Sequence, residues 1–162
     1  MDNLSSSEIE TNRYLADRFA IDDLVTRYTM AVDDADWDVL DTVFTDDAVL
    51  DYTAAGGIRG PRDQVKQWLR DAMSPFPVRQ HMIGNKRVVI EGDTATVRAY
   101  FFNPMMIEGA SGETTFAPGG GYYNFRLVRA TEGWRSDQLV GEEVWRVGLP
   151  DNLGTPPAPE LP

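Results

Sequence analysis

The apolar residues of this 162-residue chain change period once, at Pro75 and Pro77, and that switch limits the fold more than any other feature. Before it the spacing is helical. From Ile9 onward, Leu15, Phe19, Leu24, Tyr28 and Val32 recur on one stripe, with Tyr14, Ile21 and Val25 beside them. The stripe predicts a helix to about Asp34, capped by Ser7 or an earlier serine, with Glu8 and Glu10 near its positive end. Trp37, Leu40 and Phe44 mark a short second helix, and residues 48–52 read as a strand. Gly60-Pro61 opens a third helix with Val65, Trp68, Leu69 and Ala72 on its apolar face. After the prolines the period is two. Strands run over 78–90 and from Thr94 to about Met106, joined by Glu91-Gly92-Asp93. A polar loop spans Glu108 to Pro118, and a second pair covers Gly119–Arg129 and Trp134–Val147. Helices followed by four long antiparallel strands describe an α+β domain, with a strongly bent antiparallel sheet wrapped around N-terminal helices. A pocket is expected in the mouth of that cone.

Composition removes several classes of function. A net charge of −11, without any Lys/Arg run, leaves no basic footprint for nucleic acid or an anionic membrane and disfavours strongly anionic substrates. The absence of cysteine excludes disulfides, thiolate catalysis, zinc–thiolate sites and iron–sulfur clusters. A single histidine, His81, cannot build a multi-histidine metal site, so no metal and no cofactor are expected. The first residues have neither a basic start nor an apolar core, and no apolar run approaches the ~20 residues of a membrane span, so the expected location is cytoplasmic. Residues 1–149 read as one domain and 150–162 as a tail holding five prolines, which excludes helix and central strand there. That tail is expected either to cross a subunit boundary or to lie over the pocket mouth.

His81 sits in Arg79-Gln80-His81-Met82-Ile83-Gly84-Asn85, on the first period-two segment. Histidine alone titrates near neutral pH without perturbation, so it becomes a proton-transfer group if the fold brings an aspartate to its ring. Asp33, Asp34 and Asp36 compete for that role. Helical phase sets Asp33 one residue beyond Val32 and four beyond Thr29.

In order and spacing, several pieces resemble the SnoaL-like branch of the nuclear transport factor 2-like superfamily, with its cystatin-like α+β barrel. They are Tyr28-Thr29-Met30-Ala31-Val32-Asp33 with Asp36-Trp37-Asp38, then Phe44-Thr45-Asp46-Asp47-Ala48-Val49-Leu50-Asp51-Tyr52, then Gly60. Gln80-His81-Met82-Ile83-Gly84-Asn85, Glu91-Gly92-Asp93-Thr94-Ala95 and Gly133-Trp134 complete the set. More narrowly, the chain is similar to scytalone dehydratase, the bile-acid 7α-dehydratases and hexachlorocyclohexane dehydrochlorinase. The resemblance implies that Asp33 pairs with His81 inside the pocket, and that Tyr28 and Tyr52 polarise a substrate oxygen. A carboxylate on one imidazole nitrogen fixes the tautomer and leaves the other nitrogen to move a proton. The chain departs from scytalone dehydratase on the strand Tyr100-Phe101-Phe102-Asn103-Pro104-Met105-Met106-Ile107, which carries no second histidine. The later serine and asparagine of that enzyme fall near Gly121 and Tyr123.

Trp68, Met82, Phe102, Met105, Met106, Tyr123 and Trp145 are candidates to line an apolar pocket. Asn85, four residues past His81, shares its strand face unless a β-bulge intervenes. One of Glu142 and Glu143 is an acid that a pocket can receive, and Gly119-Gly120-Gly121 reads as a flexible strand entry, not a phosphate loop. Together these features imply a cofactor-independent lyase or isomerase, of dehydratase or cyclase type, with an Asp33–His81 dyad. The expected substrate is small, apolar and cyclic, such as a polyketide, steroid or aromatic intermediate. Two alternatives share the fold: a non-catalytic small-molecule-binding module, and a small structural subunit of a ring-hydroxylating dioxygenase. Apolar residues on the outer sheet face imply a homo-oligomer, a trimer before a dimer.

Overall fold

The structure, a computed structural model, describes residues 5–109 and 111–148. Helix α1 spans Ser6–Asp33 and opens on a capping box: the Ser5 hydroxyl accepts from the Glu8 amide at 3.3 Å, and Glu8 Oε2 accepts from the Ser5 amide at 2.8 Å. A 3-10 turn (Trp37–Val39) leads into the short helix α2 (Leu40–Val43). Strand β1 (Phe44–Asp51), a 3-10 turn (Thr53–Ala55) and the short strand β2 (Arg59–Pro61) lead to helix α3 (Arg62–Met73). The long strands are β3 (Met82–Glu91), β4 (Thr94–Glu108), β5 (Thr114–Ala130) and β6 (Gly133–Arg146).

All six strands form one curved sheet in the order β2-β1-β6-β5-β4-β3. The long meander β3 to β6 is antiparallel, as its alternating pattern implies, but β1 pairs with β6 in parallel. The sheet is therefore mixed, and since β2 and β3 are its two edges it is an open cone rather than a closed barrel. The expected loop from Glu108 to Pro118 shrinks because β4 and β5 pair all the way out to Glu108 and Thr114. Their cross-strand hydrogen bonds satisfy backbone that a loop would have to expose. The glycine run thus lies within β5, not at its entry. The proline-rich tail, and with it the expectation of a subunit or mouth contact, falls outside the described residues.

The concave face and α1 make the core. Ile21, Leu24, Val25, Tyr28 and Val32 are almost fully buried, each such aliphatic contributing about 1.5–3 kcal/mol of transfer free energy. The N-terminal half of α1 behaves differently from its stripe: Ile9, Tyr14, Leu15 and Phe19 are exposed, and the buried residue there is Asp17. A 28-residue helix is about 42 Å long. Its first turns extend past the region where the sheet can cover them.

Candidate active site

A run of small residues hollows the concave face. On β5 the inward positions are Ala117, Gly119, Gly121 and Tyr123, and these face Met105, Asn103, Phe101 and Ala99 of β4. Gly141 of β6 faces Tyr123. With no side chains at 119 and 141, the sheet leaves space beneath α1 and α3, while Gly121 admits the close approach of the Glu142 backbone. The resulting cavity holds about 70 Å³ of water-accessible space and opens to solvent at its mouth. Its walls are largely apolar, with Val32, Leu69, Met73, Phe76 and Met105 among them, and its polar groups come from His81, Tyr28, Tyr52, Tyr123, Asn103 and Glu143.

His81 immediately precedes β3 rather than lying within a strand, because only an isolated bridge from Val78 to Met106 continues the sheet upstream. Asp33 closes α1, where Asp34 caps the helix by donating its amide to Met30 O at 2.9 Å and Ala35 turns the chain at φ 56°. The two residues meet twice. Asp33 Oδ1 lies 2.5 Å from His81 Nδ1, and Asp33 Oδ2 accepts the His81 backbone N–H at 2.9 Å. The His81 side chain is only 5% exposed. This two-point grip fixes the ring and commits Nδ1 to the carboxylate, so Nε2 is the nitrogen left for a ligand. Asp34 and Asp36, the rivals for the pairing, are exposed.

The tyrosines form a chain of hydroxyls. Tyr28 and Tyr52 are 2.6 Å apart, oxygen to oxygen, and Tyr28 packs edge-on against Phe44, Tyr123 and Phe125. Burial pushes the phenols of Tyr28 and Tyr52 far above their ordinary range. Burial also pushes Tyr123 up, to about 12, against hydrogen bonds from Asn103 and Tyr28 that hold it down. All three are therefore neutral hydrogen-bonding groups at neutral pH. Asn103 Oδ1 has no partner, so it is the Asn103 amide N–H₂ that serves Tyr123. Tyr28 is held on both sides and sits in the middle of the chain, away from any free end.

Of the sequence candidates, Tyr28, Tyr52, Trp68, His81, Met105 and Tyr123 line the cavity and Asp33 holds His81. Met82, Asn85, Phe102 and Trp145 do not line it. Phe102 and Met82 pair across β3 and β4 on the outer face, because the inward phase of β4 is Ala99-Phe101-Asn103. Asn85 lies at a register shift between Gly84 and Arg87, with φ 38°, and is exposed. The bulge has turned it off the face of its neighbours. A second shift, between Gly120 and Gly121, leaves Val144 unpaired on β6. Trp145 consequently faces outward, stacked 6.0 Å from Phe102, while Arg146 is carried to the inner side beside Glu143. Met106 is likewise out of phase with the lining residue Met105. Asn103 is the polar lining residue that sequence reasoning passed over, along with the apolar Phe76 and Phe101; its alternation with Phe101 and Met105 was the available signal. Of the glutamate pair, Glu143 lines the cavity and Glu142 binds Arg98 outside.

With this geometry in view, the comparisons with known proteins are specific. The model of the SnoaL-like domain matches residues 13–140. An uncharacterised protein of Mycobacterium tuberculosis is 43% identical over 121 residues, covering 75% of this chain and 81% of that one. The crystal structure of a proposed aromatic ring hydroxylase from Novosphingobium aromaticivorans is 30% identical, covering 86% of this chain and 97% of its own, with a TM-score of 0.74. A type 2 hexachlorocyclohexane dehydrochlorinase superposes with a TM-score of 0.71 over 91% of this chain and 96% of that one, at 19% identity, which speaks for the fold alone.

Proposed function

The chain belongs to the SnoaL-like domain family, and on that footing we propose that it is a cofactor-independent lyase or isomerase of dehydratase or cyclase type. The observation that carries the reading is the double grip of Asp33 on His81 at an apolar cavity. Asp33 orients the imidazole and balances the charge of the imidazolium, so that Nε2 takes a carbon-bound proton next to a carbonyl. A tyrosine hydroxyl receives the developing enolate oxygen. Tyr123 accepts from Asn103 and Tyr28 and has its own O–H to give to the substrate, while the Tyr52 O–H is given to Tyr28 at the opposite end of the chain. Tyr28 then positions its two neighbours instead of touching the substrate. The apolar walls suit a small cyclic compound, such as a polyketide, steroid or aromatic intermediate.

The test is exchange of α-protons of cyclic ketones for deuterium in D₂O, followed by NMR. Wild-type protein is expected to accelerate exchange, and Asp33→Asn to lower the rate about 10³-fold or more, on the order seen when the orienting acid of a triad is neutralised. Equal rates for the two proteins remove the proposal. The relation to a proposed aromatic ring hydroxylase leaves one second reading in place, a small structural subunit of a ring-hydroxylating dioxygenase. That reading calls for stable co-purification with a larger iron protein and indifference to Asp33→Asn.

A further inference from the structure

Resting on the lyase reading above, we propose that Glu143 is the acid of this cavity: it protonates the hydroxyl that leaves from the carbon adjacent to the one His81 deprotonates, so that the substrate class is a cyclic β-hydroxy ketone and the reaction a dehydration. The argument begins with the fold. The unpaired Val144 ends the regular alternation of β6 just after Glu143, which stays on the inner side with its side chain only 12% exposed. Glycine at 119 makes room for it, since a first side-chain carbon there would come within 3.1 Å of Glu143 Oε1. An acidic side chain is thereby seated in the wall of the cavity that also holds His81.

Its surroundings suit a proton donor. Desolvation raises the carboxyl above the ordinary glutamate range, opposed by Arg146, whose Nη1 lies 3.3 Å from Glu143 Oε2. Tyr123, on β5, lines the same cavity; burial raises its phenol, and the charges of Asp33 and Glu143 add to this. In the sheet, β4 and β5 separate β6 from β3, at ~4.8 Å per strand. Glu143 and His81 therefore reach the same cavity from either side of β4 and β5.

The two groups divide one elimination. His81 Nε2 takes the α-proton, and the electrons of that C–H bond pass through the enolate into the new C=C bond. The neighbouring C–O bond breaks with its electron pair on oxygen, Glu143 gives that oxygen its proton, and water leaves. One proton returned through solvent from the imidazolium to the Glu143 carboxylate restores both groups.

Two measurements test this. Elimination to cyclohex-2-enone is followed with 3-hydroxycyclohexanone and with 3-acetoxycyclohexanone, whose acetate departs without a proton. Glu143→Gln is expected to lower the hydroxy-to-acetoxy rate ratio about 100-fold, within the usual range for a general acid. Glu143→Asp is expected to restore part of that ratio, and Asp33→Asn to depress both rates together. A ratio equal to wild type in Glu143→Gln overturns the assignment while leaving the dyad standing. A wild-type protein that eliminates from neither probe overturns the lyase reading and this proposal with it. Independently of turnover, the ¹³C carboxyl signal that disappears in Glu143→Gln is expected to titrate above the ordinary glutamate range. Titration within or below that range overturns the acid role alone.

Discussion

Asp17 and Arg129 meet in a bidentate ion pair, Nη1 to Oδ1 at 2.7 Å and Nη2 to Oδ2 at 2.8 Å, although 112 residues separate them in sequence. Trp134 Nε1 donates to the same carboxylate at 3.1 Å, and the guanidinium lies 4.4 Å over the Trp134 ring while also binding Asp93. One cluster therefore fastens the exposed half of α1 to the turns of both hairpins. It does so where that half of the helix supplies almost no apolar burial.

Removing the charge leaves a largely buried guanidinium with half its partners. Asp17→Asn is expected to cost about 2–3 kcal/mol at neutral pH, read from urea unfolding. Arg129 holds the Asp17 carboxyl below its ordinary range. A depressed folded-state value means stability that is present above the unfolded-state value, near pH 4, and lost as pH falls further. The gap between wild type and Asp17→Asn should accordingly close below about pH 4. A gap that stays constant down to pH 3 would assign the effect to packing.

The dyad invites a double-mutant cycle. Because Asp33 acts only through His81, Asp33→Asn and His81→Ala are each expected to abolish most α-proton exchange, and the double variant to be little slower than the slower single one. Additive losses would mean that the two side chains serve separate steps. Asp33 also accepts the His81 amide, so unfolding curves are needed alongside the rates.

The buried phenols set an alkaline limit. Tyr28, Tyr52 and Tyr123 are all raised by burial, so the folded protein keeps protons that the unfolded chain releases near pH 10. Stability must fall as pH climbs above 10. In an ultraviolet titration these three are expected to ionise above the ordinary tyrosine range, together with loss of structure. Tyr28→Phe, which strands the Tyr52 hydroxyl, should cost about 1–3 kcal/mol. Ionisation of any of the three near pH 10 in the still-folded protein would contradict the hydroxyl chain.

The sequence carried the switch from helix to strand, the long meander and the pairing of Asp33 with His81. These rest on strong periods and on motif order. It carried the strand phases poorly, for physical reasons that are visible at single residues. On β4 both faces are apolar, Tyr100 and Phe102 outside against Ala99 and Phe101 inside, so alternation alone could not say which face was buried. On β3 and β6, one extra residue at each bulge moved Asn85 and Trp145 away from the cavity. Glycine was misread for a related reason. At 119 its value lies in the room it leaves for Glu143, and at 121 in the close approach of the Glu142 backbone, both of which appear only once the strands are paired.

The same bulge supplies the last prediction. Trp145, turned outward, lies against Gly120, where any side chain would collide with the indole, and stacks on Phe102. Tyr100, Phe116 and Val144 extend this surface, and each is at least half exposed. A soluble chain rarely leaves so continuous an apolar strip to water. We expect this face to bury itself against further copies of the chain, three before two as the resemblance implies, with Arg98 and Glu142 at its rim. Light scattering at micromolar concentration should give a multiple of the 18.1 kDa chain mass. Trp145→Asp should lower that mass without loss of helical circular dichroism, because the ring packs on the outside of the sheet and the core beneath does not depend on it. A wild-type mass of one chain would overturn the expectation.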